Sequence, residues 1–303
     1  MRVIYDINRI KKFPNPVVAM GVFDGVHRGH KVILASAVRK SRAIGGTSVA
    51  ITFWPHPQKE GSLSSLKHRL ELIASLGIDV AIVISFNRRF SRITAANFIK
   101  KFLVEKIGAK YIYVGQNFRF GRNARGSLDT FKRFSAIYGF KTKAINVIKV
   151  ADRPISSTLI RTLIKKGDLL QAESLLGRAV GILGTVIKGN LFARKLGFPT
   201  ANITPHHEVI PPCGIYAVRV VFKGKTYGGV CYIGRQPSFL TRSKKIHIEV
   251  HIFAFRKKIY GQELKIDFVQ KIRNERRFKD IASLTQQIKK DVFSAKSILS
   301  RHK

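Results

Sequence analysis

Carboxylates are scarce in this chain: 17 Asp and Glu stand against 56 Lys and Arg in 303 residues, a formal net charge of +39. A carboxylate that falls inside a glycine, histidine or strand motif therefore draws notice, and Asp24 and Glu249 both do. Cysteine is nearly absent. Cys213 and Cys231 are too few for a disulfide framework and lack metal-ligand spacing, which fits a reducing compartment, the cytoplasm. Long apolar runs are missing as well; VAIVI (80–84) has the length of a strand and falls well short of a membrane span. Asp6, Asn8 and Arg9 interrupt the stretch where a secretory signal would need its apolar segment, so no signal and no membrane partner are expected. Repeats and low-complexity tracts are also lacking.

Hydrophobic residues make up 45% of the chain, enough to bury a sizeable core and far from a disordered composition. The basic excess first suggests nucleic acid or an anionic surface. Its distribution argues otherwise. Residues 1–180 carry a net charge of +22 and residues 181–303 one of +17, and the longest basic clusters are RKK (256–258) and RR (276–277). No arm dominates, so a general Lys/Arg bias explains the charge equally well, and no specific nucleic-acid partner is expected.

Up to about residue 180, apolar runs alternate with amphipathic stretches: VVAMGVF, SVAITFW, VAIVISF and YIYVG each lead into a helix-like segment. That rhythm predicts a parallel sheet covered by helices, with ligands at the carboxyl ends of the strands. From Gly181 onward, short β-rich segments separated by glycine-containing turns predict an antiparallel barrel or sandwich, closed by a helix over FKDIASLTQQIKKDVFSAKSIL. The expected domains are 1–180 and 181–303, with a homo-oligomer compatible with the sequence.

GVFDGVHRGH (21–30) lies where an apolar strand turns into a helix. Glycines let backbone approach a ligand, and a helix N-terminus offers free N–H groups to phosphate. His27 and His30, three residues apart, share one helical face and can stabilise charge on a triphosphate under attack. The same string also reads as a glycine-rich turn with two surface histidines. In ISSTLIR (155–161), Ser156, Ser157 and Thr158 stand at a helix start, where hydroxyls either cap the helix or bind phosphate. Arg161, four residues after Ser157, projects from the same face. Thr200 and Asn202, two apart in GFPTANI, point to one side of an extended chain and offer oxygen ligands of the kind Mg²⁺ prefers. Glu249 faces the same side as His247 and His251 in the alternating strand KIHIEVHIF. As pattern alone, it is a solvent-facing strand residue or part of an HxExH metal site.

These motifs, with TFWPHP (52–57), VGQNFRFG (114–121), LLGR, CGIYAVRV and IYGQELKIDFVQKIRNERRF in order, resemble the bacterial bifunctional riboflavin kinase/FMN adenylyltransferase family nearly end to end. The resemblance implies a Rossmann-like nucleotidyltransferase domain and a β-barrel kinase domain. It further implies phosphorylation of riboflavin to FMN by ATP, then adenylylation of FMN to FAD with release of pyrophosphate. Mg²⁺ is the implied metal, ATP the co-substrate, and FMN and FAD are substrate and product. Carried over residue by residue, His27, His30 and Arg161 act in adenylyl transfer. Gly21, Phe23, Asp24, Gly25, Gly29, Ser156, Ser157 and Thr158 hold ATP phosphates, and His56, Asn117, Phe118 and Arg119 contact the flavin. In the second half, Gly189 and Arg194 belong to a phosphate loop, Thr200 and Asn202 to the Mg²⁺–ATP site, and Glu249 is the general base.

Four departures fall in the second half: Ala193 where the family has Gly, Tyr232 for Asn, Ser238 for Thr and Ala254 for Asp. They leave Thr200, Asn202 and Glu249 in place, so kinase activity is expected. Two alternatives stay open at this point: an adenylyltransferase with an impaired kinase half, and a basic nucleic-acid-binding protein on an old nucleotide-binding scaffold.

Overall fold

The computed structural model describes residues 1–10, 12–55, 61–150, 153–189, 192–206, 208–235 and 246–301. Two compact units emerge: Met1–Ser62 with Leu66–Ser157, and Leu63–Ser65 with Thr158–Lys303.

The first unit is built on β1 (Arg2–Ile4), β2 (Val17–Met20), β3 (Ser48–Trp54), β4 (Val80–Ser85), β5 (Tyr111–Gly115) and β6 (Lys141–Ile145). They form a sheet of order β1-β4-β3-β2-β5-β6, parallel throughout. Parallel strands covered on both faces read as continuous apolar runs, and VVAM of β2 is buried at every position. Helix α1 (Arg28–Ala43) lays Ile33, Leu34, Ala37 and Val38 on this sheet, the spacing of one helical stripe. Helix α2 (Leu66–Ala74), the short α3 (Arg88–Ser91) and α4 (Ala95–Phe98), and α5 (Leu128–Tyr138) complete the covering.

The strand order reverses direction at β2, which pairs with β3 on one side and β5 on the other. Ligands of open α/β sheets bind outside the carboxyl ends of strands at such a switch point. Three sequence motifs of this half, at 21–30, 52–57 and 114–121, begin within or directly after the sheet strands β2, β3 and β5, whereas ISSTLIR stands at α6.

A two-stranded ribbon, β7 (Lys149–Val150) with β8 (Arg153–Pro154), leads to α6 (Ser157–Lys166) and α7 (Leu169–Leu176). The second unit is a closed antiparallel barrel of β9 (Val180–Ile187), β10 (Ala201–Pro205), β11 (Gly214–Phe222), β12 (Lys225–Arg235), β13 (Ile246–Ile252) and β14 (Glu263–Arg273). Of the barrel and sandwich left open by the strand pattern, the barrel is the one observed. A short helix, α8 (Phe192–Lys195), which no periodicity announces, lies between β9 and β10. The final helix α9 (Ile281–Arg301) starts from Asp280, whose carboxylate accepts from the Ser283 N–H at 2.7 Å. Along β13, Ile248, Val250 and Ile252 fill the barrel while His247, Glu249 and His251 take the outer face, as the alternating sequence requires.

Candidate functional sites

In the first unit the backbone after β2 is strained. Phe23 (φ 53°), Val26 (φ 39°) and Gly25 (φ 72°) all lie in the left-handed region, which a β-branched valine rarely adopts. Two glycines make room for this turn. A Cβ at Gly21 would stand 2.9 Å from the Phe23 ring, and one at Gly29 would meet the His27 ring at 3.2 Å. Phe23 fills the space beneath and is fully buried.

The turn is fastened from below by Arg69 of α2, which is 0% exposed. Its guanidinium donates to the Val22 and Phe53 carbonyls at 3.0 and 3.1 Å, to Thr52 Oγ1 at 3.3 Å and to Asp24 Oδ1 at 3.5 Å. Burial weakens the hold of Arg69 on its proton, and the Asp24 carboxylate opposes that effect. Asp24, 1% exposed, thus braces the turn through an ion pair sealed from solvent. Removing either partner of such a pair costs about 3–5 kcal/mol, because it leaves a buried charge alone. A third tie comes from Ser157, whose Oγ donates to the Asp24 carbonyl at 3.0 Å. In the same segment Ser156 and Thr158 are exposed, while Arg161 in α6 is buried.

His27 caps α1. Its Nδ1 accepts the His30 backbone N–H at 3.3 Å, so the proton of the neutral ring sits on Nε2. The His27 and His30 rings stack with centroids 3.6 Å apart, and Phe23 meets His30 edge-on at 5.3 Å. His30 Nδ1 is buried without a partner among the described residues. Desolvation, then the neighbouring His27 and Arg69, holds the His30 pKa well below its ordinary 6.5. The folded ring therefore resists a proton that the unfolded chain accepts near pH 6.5. Below that pH, stability should fall with a slope of up to about 1.4 kcal/mol per pH unit until the folded ring also protonates. Urea midpoints taken between pH 7.5 and 5.5 should show this acid limb in the wild type and a shallower one in His30→Gln.

Beside the turn lies a cavity of about 700 Å³ walled by Phe53, Phe86, Phe90, Phe98, Phe118 and Phe120, with Arg92, Arg119, Arg122 and Asn123 among its polar lining and Ser157 at its edge. Of the residues expected to contact the flavin, Phe118 and Arg119 line this cavity. Asn117 is exposed in the turn after β5 and does not line the cavity. His56 lies outside the described residues. The remaining phenylalanines arrive from β3 (Phe53), from the segments after β4 (Phe86, Phe90 and Phe98) and from the segment after β5 (Phe120).

In the second unit, strand register builds the site. Glu249 of β13 is flanked by Asn202 on β10 and by Tyr232 on β12, and the same row continues to Ile215 on β11 and Arg273 on β14. Thr200 Oγ1 donates to Glu249 Oε2 at 3.0 Å. Gly189 has a specific reason to lack a side chain: a Cβ there would lie 2.0 Å from the Asn202 amide nitrogen. Two cavities meet at Thr200. One, of about 310 Å³, is lined by Arg194, Arg256, Lys257 and Lys258 and by no carboxylate. The other, of about 350 Å³, holds Phe198, Tyr232, Glu249, Glu275, Arg276 and Phe278. His251 Nδ1 donates to the Pro199 carbonyl at 2.9 Å and packs against Phe198. Of the departures, Ala193 lines the second cavity, Ala254 takes a left-handed φ of 52° in the turn after β13, and Ser238 is outside the described residues.

A doubly wound sheet with a braced, glycine-cut phosphate turn, followed by a closed barrel carrying an oxygen-rich row between a cationic and an aromatic cavity, defines a two-module nucleotide-using transferase. A family model for FAD synthetase matches residues 10–159, and one for riboflavin kinase matches residues 176–299. The bifunctional riboflavin kinase/FMN adenylyltransferase of Buchnera aphidicola subsp. Schizaphis graminum is 35% identical over 302 residues, covering 96% of this chain and 97% of its own. Those of Bacillus subtilis and Escherichia coli K12 are 35% and 33% identical, covering 91% and 98% of this chain and 90% and 97% of their own. A solved structure described as a macrolide-efflux protein from Streptococcus pneumoniae shares the fold, with a TM-score of 0.84 at 25% identity over 97% of this chain and 98% of that one. The chain belongs to the bifunctional riboflavin kinase/FMN adenylyltransferase family. Among the described residues, no helix is long and apolar enough to cross a membrane.

Proposed function

We infer that this chain makes FMN from riboflavin and ATP and then FAD from FMN and a second ATP. The observation that carries the reading is the pairing of two phosphate-handling sites of different construction on one chain. One is the stacked His27–His30 pair on the glycine turn, and the other is the Thr200–Asn202–Glu249 row between its two cavities.

In the first half, a phosphate oxygen of FMN attacks the α-phosphorus of ATP and pyrophosphate leaves. No covalent enzyme intermediate is needed, and the protein contributes position and charge neutralisation. The glycine turn and the α1 N-terminus receive the triphosphate, with Gly21, Phe23, Asp24, Gly25 and Gly29 shaping the cradle and Ser156 and Ser157 closing it. His27, through Nε2–H, and His30 then stabilise the charge that builds as the α–β bridge breaks. The phenylalanine-walled cavity takes the flavin ring, with Phe118 and Arg119 in its lining.

In the second half, the cavity carrying Arg194, Arg256, Lys257 and Lys258 suits the ATP polyphosphate, and the aromatic cavity across Thr200 suits riboflavin. Glu249 takes the proton from the 5′-hydroxyl as it attacks the γ-phosphorus. The hydroxyl of Thr200 and the amide oxygen of Asn202 make an oxygen donor pair that fits Mg²⁺, leaving the neighbouring Glu249 carboxylate for the proton. Bound there, the ion would neutralise charge on the transferring phosphoryl group. A decayed kinase would have no reason to keep these three groups in one row with Gly189 cleared for Asn202.

Purified protein given riboflavin, ATP and Mg²⁺ should accumulate FAD, read by chromatography of the flavins. A folded preparation yielding neither FMN nor FAD would overturn the assignment, and one converting only supplied FMN would leave the adenylyltransferase alone. Riboflavin, FMN and ATP are the small-molecule partners of this reading, and the cytoplasm is where all three meet.

A further inference from the structure

The departure at Tyr232 is not a neutral loss of asparagine. Its ring lies flat against the strand at Gly234, where a Cβ would stand 1.9 Å from the phenol oxygen and 2.1 Å from Cζ. Only glycine at 234 lets the ring occupy this place. Register sets Tyr232 directly beside Glu249, on the wall of the aromatic cavity. From there its hydroxyl donates to Glu275 Oε1, 43 residues along the chain.

Glu275 lies in the stretch after β14 that supplies Arg276 and Phe278 to the lining of the same cavity. That stretch is held to α9 at two points. Arg273 makes a two-pronged bond to Asp291, at 2.9 and 2.7 Å, and the Arg276 guanidinium reaches Gln287. Both guanidiniums cover the Phe278 ring, at 5.7 and 4.8 Å. Among the described residues, the Tyr232–Glu275 bond is the one that ties this stretch to β12, the strand beside Glu249. Burial, the bond to Glu275 and the nearby Glu249 carboxylate all favour the protonated phenol, so the donor persists at any physiological pH.

We propose that Tyr232 is a positioning residue of the kinase half. By holding Glu275 it sets the spacing between the Glu249 wall and the Arg276–Phe278 wall, and thereby the affinity for the flavin substrate rather than the rate of phosphoryl transfer. The proposal rests on the reading of the aromatic cavity as the riboflavin site.

Tyr232→Phe keeps the ring over Gly234 and removes the hydroxyl. It should raise KM for riboflavin about tenfold, the scale of one hydrogen bond to a charged group, with kcat and KM for ATP unchanged within about twofold. Glu275→Ala, at an exposed position, should match it, whereas Glu275→Gln, which keeps an acceptor oxygen, should restore most of the affinity. The double variant Tyr232→Phe, Glu275→Ala should be no worse than either single one, since both remove the same bond. FAD formation from supplied FMN serves as the folding control in every variant. A wild-type KM for riboflavin in both Tyr232→Phe and Glu275→Ala, or losses that multiply in the double variant, would overturn the proposal. A wild-type enzyme unable to phosphorylate riboflavin would instead overturn the reading of the cavity itself.

Discussion

Changing His27 and His30 together to alanine should lower FAD formation from FMN by about a thousandfold while leaving FMN formation from riboflavin intact. Each imidazole is a preformed donor aimed from a helix N-terminus, and single donors that stabilise developing oxyanions are worth about 10²–10³ in rate. The two losses should not multiply. With ring centroids 3.6 Å apart and the His30 N–H bound to His27 Nδ1, each ring fixes the orientation of the other. Alanine at 27 also strips the cap from α1, a structural cost of about 1 kcal/mol that the folded enzyme should tolerate. Flavin chromatography with riboflavin or FMN as the sole flavin separates the effects. A double variant that still adenylylates FMN within tenfold of wild type would place the transfer chemistry elsewhere, and one that loses both activities would contradict independent sites.

How far these sites were legible depended on whether the cause was local. The glycine turn, the histidine pair and the Thr200–Asn202 pair are set by neighbours within a few residues, so their spacing in the sequence is already their geometry. Glu249 was legible for the same reason, since a two-residue period assigns its face without knowledge of the partner strands. Arg69 was not. It sits in LKHRLELIA, where a basic residue between apolar ones reads as a solvated position, and only the return of α2 beneath the turn buries it against Asp24, 45 residues away. Closure of the second half into a barrel likewise depends on β9 pairing with both β10 and β14, which no local pattern dictates. The phenylalanine cavity was not legible: Phe53, Phe86 and Phe90 come from the ends of two strands and the segment after them, and no local pattern announces that they meet around an open space. Tyr232 stood out only as a departure, because its partner Glu275 lies 43 residues downstream on the far side of a strand.

Glu249→Gln should reduce kcat for riboflavin phosphorylation by about 10²–10⁴, the usual contribution of a positioned general base, with FMN adenylylation unchanged. Glutamine is the informative substitution here. Its side-chain oxygen can still accept from Thr200 Oγ1, as Glu249 Oε2 does at 3.0 Å, and its volume still fills the row between Asn202 and Tyr232. What it loses is the negative charge and the capacity to take a proton. If Glu249 only props Thr200 in place, Glu249→Gln should turn over nearly as well as wild type while Glu249→Ala fails. If the carboxylate accepts the 5′-hydroxyl proton, both variants fail alike and KM for riboflavin moves little. Steady-state kinetics with riboflavin at saturating ATP distinguishes the two orders, and equal activity of Glu249→Gln and wild type would remove Glu249 from the chemistry.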